Sequence, residues 1–356
     1  MTSSELAIRR VELLYAPDDR TVCFEVDQRT VDGELVLEGT VQTEQLRRAV
    51  SEAFERRYGP DAVREEIAVL EPIGESATID SPIAPVRSAP DGDTEQVTKT
   101  LYGAAITAYD RRDGWRRIRT PDGYVGWIES PHLSSVPTAD DAEGRADLER
   151  RTGARRRSDL EWRPDAVLTE ASVPVVATQD TDEMPPERLY AGTDCRIEAA
   201  DGDRTTVSFR TGAVGTIRSE AVRSLGSTVA DRTIGSGEDV VSIARQFLGT
   251  PYEWGGMSVD GIDCSGLVWI AYACVGVTLP RDADQQERMG AEIDRSALRP
   301  GDLLFFPGHV AISLGGTEYV HAYGSAEQVQ INSLDPDDDR YIADLETSVR
   351  STRRIL

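Results

Sequence analysis

The chain has 356 residues, which is long enough for two or three domains with separate hydrophobic cores. It carries 63 acidic and 39 basic side chains, and its formal net charge of -24 argues against a protein that binds nucleic acid or an anionic membrane. The N-terminus lacks a signal-peptide pattern, and no apolar run reaches the roughly 18 residues that a membrane-spanning helix needs. The sequence therefore predicts a cytoplasmic protein without a membrane partner.

The positive charges come almost entirely from arginine, since Lys99 is the only lysine. A surface rich in Asp and Glu and poor in Lys is typical of proteins in concentrated salt, where screening removes the repulsion between like charges. GC-rich coding bias together with ordinary acidity would produce the same composition. We expect a halophilic protein and keep coding bias as the alternative.

Residues 1–75 predict a small α+β domain with the order β-β-α-β. Its strands are expected at 21–26, 33–39 and 66–70, and an amphipathic helix is expected at 43–58. No side chain of this domain suggests chemistry, so the sequence predicts no function for it.

Residues 83–135 follow a proline-rich boundary and predict short, closely spaced strands. Such strands form a small barrel, and the strings Leu101-Tyr102-Gly103 and Tyr124-Val125-Gly126-Trp127-Ile128 resemble the bacterial SH3-like barrel. Residues 138–165 are rich in charge and predict a linker or a solvated helix. Residues 171–228 repeat the barrel pattern, so a second SH3-like barrel is expected there.

Residues 236–356 contain the candidate chemistry and predict an α+β domain, with helices before an antiparallel sheet. Cys264 follows a glycine-rich loop and opens an apolar helix, where the helix dipole and the free backbone N–H groups favour a thiolate. His309 and His321 lie downstream, and a nucleophilic Cys needs such a base. The pattern indicates a cysteine hydrolase or acyltransferase.

The two histidines are expected on consecutive strands that are joined near Gly315-Gly316. Opposed residues of a hairpin have position numbers with a constant sum, and side chains alternate between the two faces. The sum of 309 and 321 is even, so both histidines share a face if the loop has three residues or the hairpin contains a bulge. A two-residue loop would place them on opposite faces, so we predict a three-residue loop or a bulge.

One Cys and two His could instead bind zinc. A metal site usually includes a carboxylate or a second Cys at short spacing, so we expect neither a metal nor another cofactor. A buried Cys with two structural histidines is a further alternative, against which the Asp-Cys-Ser-Gly context argues. The other cysteines lack a Cys-x-x-Cys pair and are expected in the core of a protein from a reducing compartment: Cys23, Cys195 and Cys274.

Six motifs follow one another in the last domain: Pro251-Tyr252-Glu253-Trp254-Gly255-Gly256, Asp263-Cys264-Ser265-Gly266-Leu267-Val268, Leu279-Pro280-Arg281-Asp282, Leu298-Arg299-Pro300-Gly301-Asp302-Leu303, Gly308-His309-Val310-Ala311-Ile312 and Val320-His321-Ala322. In order and approximate spacing they resemble the NlpC-type cysteine peptidases, which are papain-like enzymes of the bacterial cell wall. The resemblance implies a Cys264 nucleophile, a His309 base and an orienting His321. It also implies that Tyr252 lies near the oxyanion site and that the substrate is a peptidoglycan stem peptide, typically cleaved after γ-linked D-glutamate.

Two SH3-like barrels ahead of such a domain resemble the γ-D-glutamyl-L-diamino acid endopeptidases, which trim short muropeptides with a free N-terminal L-alanine. This resemblance implies that the first barrel closes one side of the groove and that Tyr124 and Asp282 bind the substrate amine. Asp263 and Ser265 flank the nucleophile and are further candidate pocket residues, although Ser265 could serve the helix start alone. A core role for Tyr124 and a surface role for Asp282 are the alternatives. The subgroup often has Ser where this chain has Ala283, so one substrate hydrogen bond is missing or replaced.

Two other functions stay open at this point. The same catalytic residues would serve an amidase or acyltransferase that acts on another γ-glutamyl compound or on a lipid. A catalytically vestigial module that binds wall fragments would not need the complete set of Cys, His and His, which favours the peptidase. We expect a small peptide as substrate, and the sequence does not indicate an oligomeric state.

Overall fold

The computed structural model describes residues 2–32, 34–59, 63–72, 77–134, 162–178, 183–226 and 231–356. It confirms the predicted α+β class: two small all-β units lie between an N-terminal α+β domain and a C-terminal domain of helices and antiparallel sheet. Most of the linker predicted at 138–165 lies outside the described residues.

The N-terminal domain has one element more than the sequence predicted. Its strands are Phe24–Val31, Glu34–Val41 and Val63–Val69, and its helices are Ser3–Tyr15 and Glu44–Tyr58. Thr2 starts the helix Ser3–Tyr15 through a capping box with Glu5. This helix escaped prediction because only Ile8 and Val11 are buried while its leucines are exposed, so no apolar stripe marks it. The order is therefore corrected to α-β-β-α-β.

The first barrel is a six-stranded sheet around a small aliphatic core. In spatial order its strands are Ala77–Thr78, Ala105–Arg112, Trp115–Arg119, Val125–Glu129, Ile83–Arg87 and Gln96–Leu101. Residues of these strands that point inward form the core, such as the fully buried Val86, Ile118 and Ile128. The predicted turn at Asp113-Gly114 is confirmed, since both residues have a positive φ that suits Asp and Gly.

The second all-β unit has a six-stranded sheet and a separate strand pair. The six strands in spatial order are Val176–Ala177, Val214–Arg218, Arg204–Ser208, Asp194–Asp201, Ala166–Leu168 and Val222–Ser224, and the pair is Ser172–Pro174 with Arg188–Tyr190. Its core contains Val207, Phe209 and Ile217. The strand Ala166–Leu168 precedes the expected start of this unit at residue 171, because three residues are too few to show a pattern.

The C-terminal domain packs its helices against a six-stranded antiparallel sheet. The helices are Gly237–Arg245, Cys264–Ala273, Ala283–Gln286 and Ala343–Ser348. The sheet has the spatial order Ala291–Glu292, Ser351–Arg354, Pro300–Phe306, His309–Gly315, Glu318–Tyr323 and Gln328–Ser333, and a small pair joins Met257–Ser258 to Gly261–Ile262. Leu101 and Tyr190 from the two barrels pack into the same core as the helix Cys264–Ala273. The first barrel and the second all-β unit thus have their own cores, and each also packs a side chain into the core of the C-terminal domain.

The hairpin that carries the two histidines contains a bulge, as the sequence predicted. Ser313 pairs with Tyr319, whereas Gly315 pairs with Glu318, so the register shifts by one residue between these pairs. On the side of the bulge away from the turn, the position numbers of paired residues have an even sum. Both histidines therefore lie on the same face of the sheet.

Replacing Gly315 by Ala should destabilise the protein more than replacing Gly316. Gly315 has a φ of +94° and an added Cβ would lie 3.2 Å from the Cδ of Pro300, whereas Gly316 has a φ of +62° and open space at its Cβ. We expect Gly315→Ala to lower the free energy of unfolding by about 2 kcal/mol and Gly316→Ala by about 1 kcal/mol. Urea denaturation measures both values, and an equal loss in the two variants would contradict the observed bulge.

Candidate active site

Cys264 is the first residue of the helix Cys264–Ala273 and lines a pocket between the domains. Asp263 caps this helix, because its Oδ1 accepts a hydrogen bond from the Gly266 N–H at 2.6 Å. The Cys264 side chain is only 7% exposed. A substrate must therefore enter the pocket to reach the sulfur.

Three polar side chains on neighbouring strands form a hydrogen-bonded relay. The Nε2 of His309 lies 2.8 Å from the Nδ1 of His321, and the Nε2 of His321 lies 2.9 Å from the Oδ1 of Asn332. The Nδ2 of Asn332 donates to the carbonyl oxygen of Arg340 at 2.7 Å, and its Oδ1 also accepts a hydrogen bond from Gln330. These contacts fix the orientation of the Asn332 amide, so that its oxygen faces His321.

The relay selects one proton position on each ring. Because the oxygen of Asn332 can only accept, the Nε2 of His321 carries a proton and its Nδ1 is an acceptor. The Nε2 of His309 then donates to that Nδ1, which leaves the Nδ1 of His309 without a proton. His309 is therefore in the tautomer that can accept a proton through Nδ1, as a general base requires.

Burial keeps the groups of the site neutral. It raises the pKa of Cys264 to about 12, and the negative charge of Asp263 acts in the same direction. Burial also lowers the pKa of His309 to about 3 and the pKa of His321 to about 4. Burial of Cys264 therefore opposes the thiolate that the helix N-terminus favours.

A buried ion pair holds the segments around the nucleophile together. Arg281 is 1% exposed and donates to both carboxylate oxygens of Asp263, at 3.0 and 2.7 Å. Its other N–H groups donate to the Oγ of Ser265, the Oγ1 of Thr98 and the carbonyl oxygen of Gly256, so all five are used. Asp263 and Ser265 line the pocket, as predicted, but their polar atoms are engaged with one another and with Arg281. The geometry suits positioning of the helix start rather than contact with substrate.

The remaining predicted residues lie close to the nucleophile. Tyr124 and Asp282 line the same pocket as Cys264. Burial raises the pKa of Tyr124, and the charge of Asp282 is the next cause, which reflects how near the two side chains are. Tyr252 is half-buried, and burial raises its pKa to about 12 with the charge of Cys264 as the second cause. Five of the eight sequence-predicted residues thus line one pocket, and Tyr252 lies near Cys264. His309 and His321 contact each other, and the backbone of Val310, which follows His309, hydrogen-bonds to Cys264.

Three parts of this region were not predicted. Asn332 lies on the strand next to that of His321. The available sequence signal was a polar residue on the inner face of the Asn332 strand. Arg281 belongs to a recognised motif, but nothing in the motif indicated its burial. Asp19 and Arg20 of the N-terminal domain also line the pocket. Arg20 is 262 positions from Asp282 in the chain, and no local pattern signals such a contact.

The zinc alternative has no support from the geometry. The Nε2 of His309 and the Nδ1 of His321 are hydrogen-bonded to each other. These two nitrogens are therefore not free to bind a shared ion. Within the described ranges, no group of three or more His, Cys, Asp and Glu side chains could hold a metal ion. In the same ranges, no helix is long and apolar enough to cross a membrane.

Comparison with known proteins agrees with this arrangement. The NlpC/P60 family model matches residues 249–344, and the bacterial dipeptidyl-peptidase SH3 domain model matches residues 86–133. Dipeptidyl-peptidase 6 of Lysinibacillus sphaericus is 31% identical over 285 residues, which cover 77% of this chain and 97% of that protein. A γ-D-glutamyl-L-lysine dipeptidyl-peptidase of Bacillus cereus is 25% identical over 256 residues, which cover 67% of this chain and 70% of that protein.

A solved structure shows the same fold. An NlpC/P60 family protein from Bacillus cereus superposes with a TM-score of 0.63 at 21% identity, and the match covers 79% of this chain and 100% of that chain. Because the alignment with the Lysinibacillus enzyme covers nearly all of that enzyme but 77% of this chain, this chain has residues without a counterpart there. The two family matches and the near-complete alignment with the Lysinibacillus enzyme together show that the chain belongs to the NlpC/P60 family of cysteine peptidases.

Proposed function

We propose that the protein hydrolyses the amide bond after γ-D-glutamate in short peptidoglycan peptides that have a free N-terminal L-alanine. The observation that carries this proposal is a single pocket that is lined by Cys264, Asp282 and Tyr124. The name of the Bacillus cereus relative, a γ-D-glutamyl-L-lysine dipeptidyl-peptidase, supports this substrate class.

The first chemical step begins from a neutral thiol and a neutral imidazole. As the Cys264 sulfur attacks the scissile carbonyl carbon, its proton passes to the Nδ1 of His309. The relay to His321 and Asn332 then stabilises the imidazolium and holds its orientation. The carbonyl oxygen becomes an oxyanion, for which the backbone N–H of Cys264 and the hydroxyl of Tyr252 are the candidate donors.

The tetrahedral intermediate collapses when the C–N bond breaks. His309 gives its proton to the departing amine of the diamino acid, and the acyl part stays on Cys264 as a thioester. A water molecule then loses a proton to His309 and attacks the thioester carbon. The C–S bond breaks, the sulfur recovers its proton, and the L-alanyl-γ-D-glutamate product leaves.

The pocket has the charge that a substrate ammonium group needs. Asp19, Glu95, Asp282 and Asp284 line it together with Arg20, in addition to the internally paired Asp263. A desolvated ammonium requires a carboxylate and further acceptors, and Asp282 with the Tyr124 hydroxyl can supply them. Ala283 also lines the pocket, so the serine hydroxyl of the subgroup is missing there.

The first barrel favours small substrates over polymer. The Nε2 of Gln96 donates to the carbonyl oxygen of Trp254 at 2.9 Å, and Lys99 pairs with Glu253 at 2.7 Å. These contacts hold the barrel against the loop that precedes Cys264. We propose that the barrel thereby closes one side of the pocket to polymer. The complete relay also argues against the binding-module alternative. The expected cytoplasmic location and adaptation to concentrated salt stay predictions.

Replacing Cys264 by Ala should abolish cleavage of L-Ala-γ-D-Glu-L-Lys. Without the sulfur no thioester forms, and we expect kcat/KM to fall by about 10⁴-fold or more. Chromatography of the released lysine measures the rate. Cys274→Ala is the matched control, because Cys274 is fully buried at the C-terminal end of the same helix. This variant should leave the rate nearly unchanged. Undiminished cleavage by Cys264→Ala would contradict the proposed function.

Replacing Asn332 by Ala should lower kcat with little change in KM. The variant removes the acceptor that holds His321 in its tautomer, so His309 loses its preferred proton position. We expect a loss of about 10- to 100-fold in kcat, by analogy with other groups that orient a catalytic base. Gln330→Ala is the control, since it removes a second donor to the Asn332 oxygen but leaves the acceptor for His321 in place. A similar loss in both variants would speak against the relay.

The two neutral histidines should make the protein less stable in acid. The pKa of His321 is about 4 here and 6.5 in the unfolded chain, so only the unfolded chain gains the proton between these values. Stability is therefore complete above pH 6.5 and is lost as pH falls towards 4, by about 3 kcal/mol for this residue. Denaturant titrations at pH 7 and pH 4.5 measure the loss. In His321→Gln the difference should shrink, and an unchanged difference would refute this assignment.

A further inference from the structure

The segment that follows the first helix of the N-terminal domain reaches into the active-site pocket. Arg20 lies at its tip and donates to the Oδ2 of Asp282 at 2.9 Å. It also donates to both carboxylate oxygens of Asp284, at 2.7 and 2.9 Å. Its remaining N–H groups donate to both oxygens of Asp18, at 2.8 and 2.9 Å. All five donors of this guanidinium are thus occupied by three carboxylates from two domains.

This segment is anchored on both sides of the pocket. The backbone carbonyl oxygen of Arg20 accepts a hydrogen bond from the Val125 N–H of the first barrel at 2.6 Å. On the other side, the Nε2 of Gln285 donates to Asp18 at 2.8 Å. Gln285 follows Asp282 by three residues, in the short helix Ala283–Gln286. The segment therefore bridges the barrel and the peptidase domain beside the predicted amine site.

A second contact holds the N-terminal domain itself on the barrel. Arg117 of the barrel is almost fully buried, and it donates to the Cys23 sulfur at 2.6 Å and to the carboxylate of Glu25 at 3.1 Å. Cys23 also packs with Tyr109 of the barrel in a small apolar cluster. The position of Arg20 is thus set by a docked domain and not by an isolated loop.

The charges around Asp282 explain why a cation is needed there. The groups that act on it are Arg20, Arg281, Asp263, Asp284, Asp18 and Tyr124. Burial raises the pKa of Asp282, while Arg281 and Arg20 lower it. Without Arg20, the carboxylates of Asp18, Asp282 and Asp284 would repel one another at close range. Asp282 would then take up a proton more readily or turn away from the pocket.

We propose that Arg20 is a positioning residue for the substrate amine site, so that the N-terminal domain forms part of the active site. This inference rests on the proposed function, in which Asp282 binds the substrate ammonium. Arg20 holds the Asp282 carboxylate ionised and directed into the pocket through the hydrogen bond at 2.9 Å. The N-terminal domain thereby determines the preference for peptides with a free amine, a role that its own sequence does not indicate.

The same geometry argues against a direct contact between Arg20 and a substrate carboxylate. All five N–H groups are already engaged, so a further anion would have to displace an existing carboxylate. Three carboxylates and one guanidinium leave a net charge of -2 in this cluster (-3 and +1). The cluster therefore attracts an ammonium group while Arg20 relieves the repulsion within it.

The test compares two peptides, L-Ala-γ-D-Glu-L-Lys and its N-acetyl derivative, in the full chain. For Arg20→Ala we expect KM for the free-amine peptide to rise by about 10- to 100-fold with kcat little changed. Cleavage of the N-acetyl peptide, whose alanine has no α-ammonium group, should change by less than about threefold. Arg20→Lys keeps the positive charge but loses the planar guanidinium group with its several N–H donors. This variant should show an intermediate KM.

Arg29→Ala is the matched control. Arg29 lies in the same domain and likewise bridges two carboxylates, those of Glu38 and Glu66, but it is exposed and does not line the pocket. This variant should behave as the wild type with both peptides. An equal loss on both peptides in Arg20→Ala, or no loss on either, would overturn the role of Arg20 while the proposed function stands.

A crystal structure of Arg20→Ala gives a readout that does not depend on the substrate. If Arg20 positions Asp282, this carboxylate should leave its place beside Tyr124 in the variant while the rest of the domain stays folded. An unmoved Asp282 would overturn the inference even if activity fell. Failure of the wild type to cleave either peptide would instead refute the proposed function, and equal cleavage of both would refute recognition of the amine.

Discussion

The buried ion pair between Arg281 and Asp263 connects every segment that forms the nucleophile site. Asp263 caps the helix of Cys264 and accepts a hydrogen bond from the Gly255 N–H, while Arg281 reaches Thr98 of the first barrel. Removing one partner of such a pair typically costs about 3–5 kcal/mol, because the other charge is left buried without compensation. The pair therefore couples the catalytic helix, the glycine-rich loop and the barrel, so that the nucleophile is in place only when these parts are assembled.

A second constraint is the burial from solvent of the relay formed by His309, His321 and Asn332. Burial raises the pKa of Cys264 and lowers the pKa values of His309 and His321, so it favours the neutral form of each group. A neutral orienting group suits this arrangement. Asn332 fixes the tautomer of His321 through its oxygen without adding a charge that would raise the pKa of the rings. The fixed orientation of the Asn332 amide follows from its contact with the Arg340 carbonyl oxygen.

The pocket is built from three parts of the chain that are distant in sequence. The nucleophile comes from the peptidase domain, Tyr124 from the first barrel, and Asp19 and Arg20 from the N-terminal domain. The first barrel and the N-terminal segment therefore both form part of the pocket wall. It also accounts for an otherwise unexplained feature, which is the anchoring of a small α+β domain on the barrel through the buried Arg117.

The sequence by itself determined the chemistry: a helix that opens on Cys264, two histidines with an even position sum, and the motifs of the family follow from local patterns. The bulge at Gly315 was predictable because strand geometry ties the register to side-chain faces. The helix Ser3–Tyr15 was not, since its burial is too small to leave a periodic pattern. Only the tertiary structure decided that Asn332 completes the relay, because a polar residue on a strand does not by itself reveal its partner. Only the tertiary structure decided that Arg20 meets Asp282, because a contact between residues 262 positions apart depends on how the domains pack.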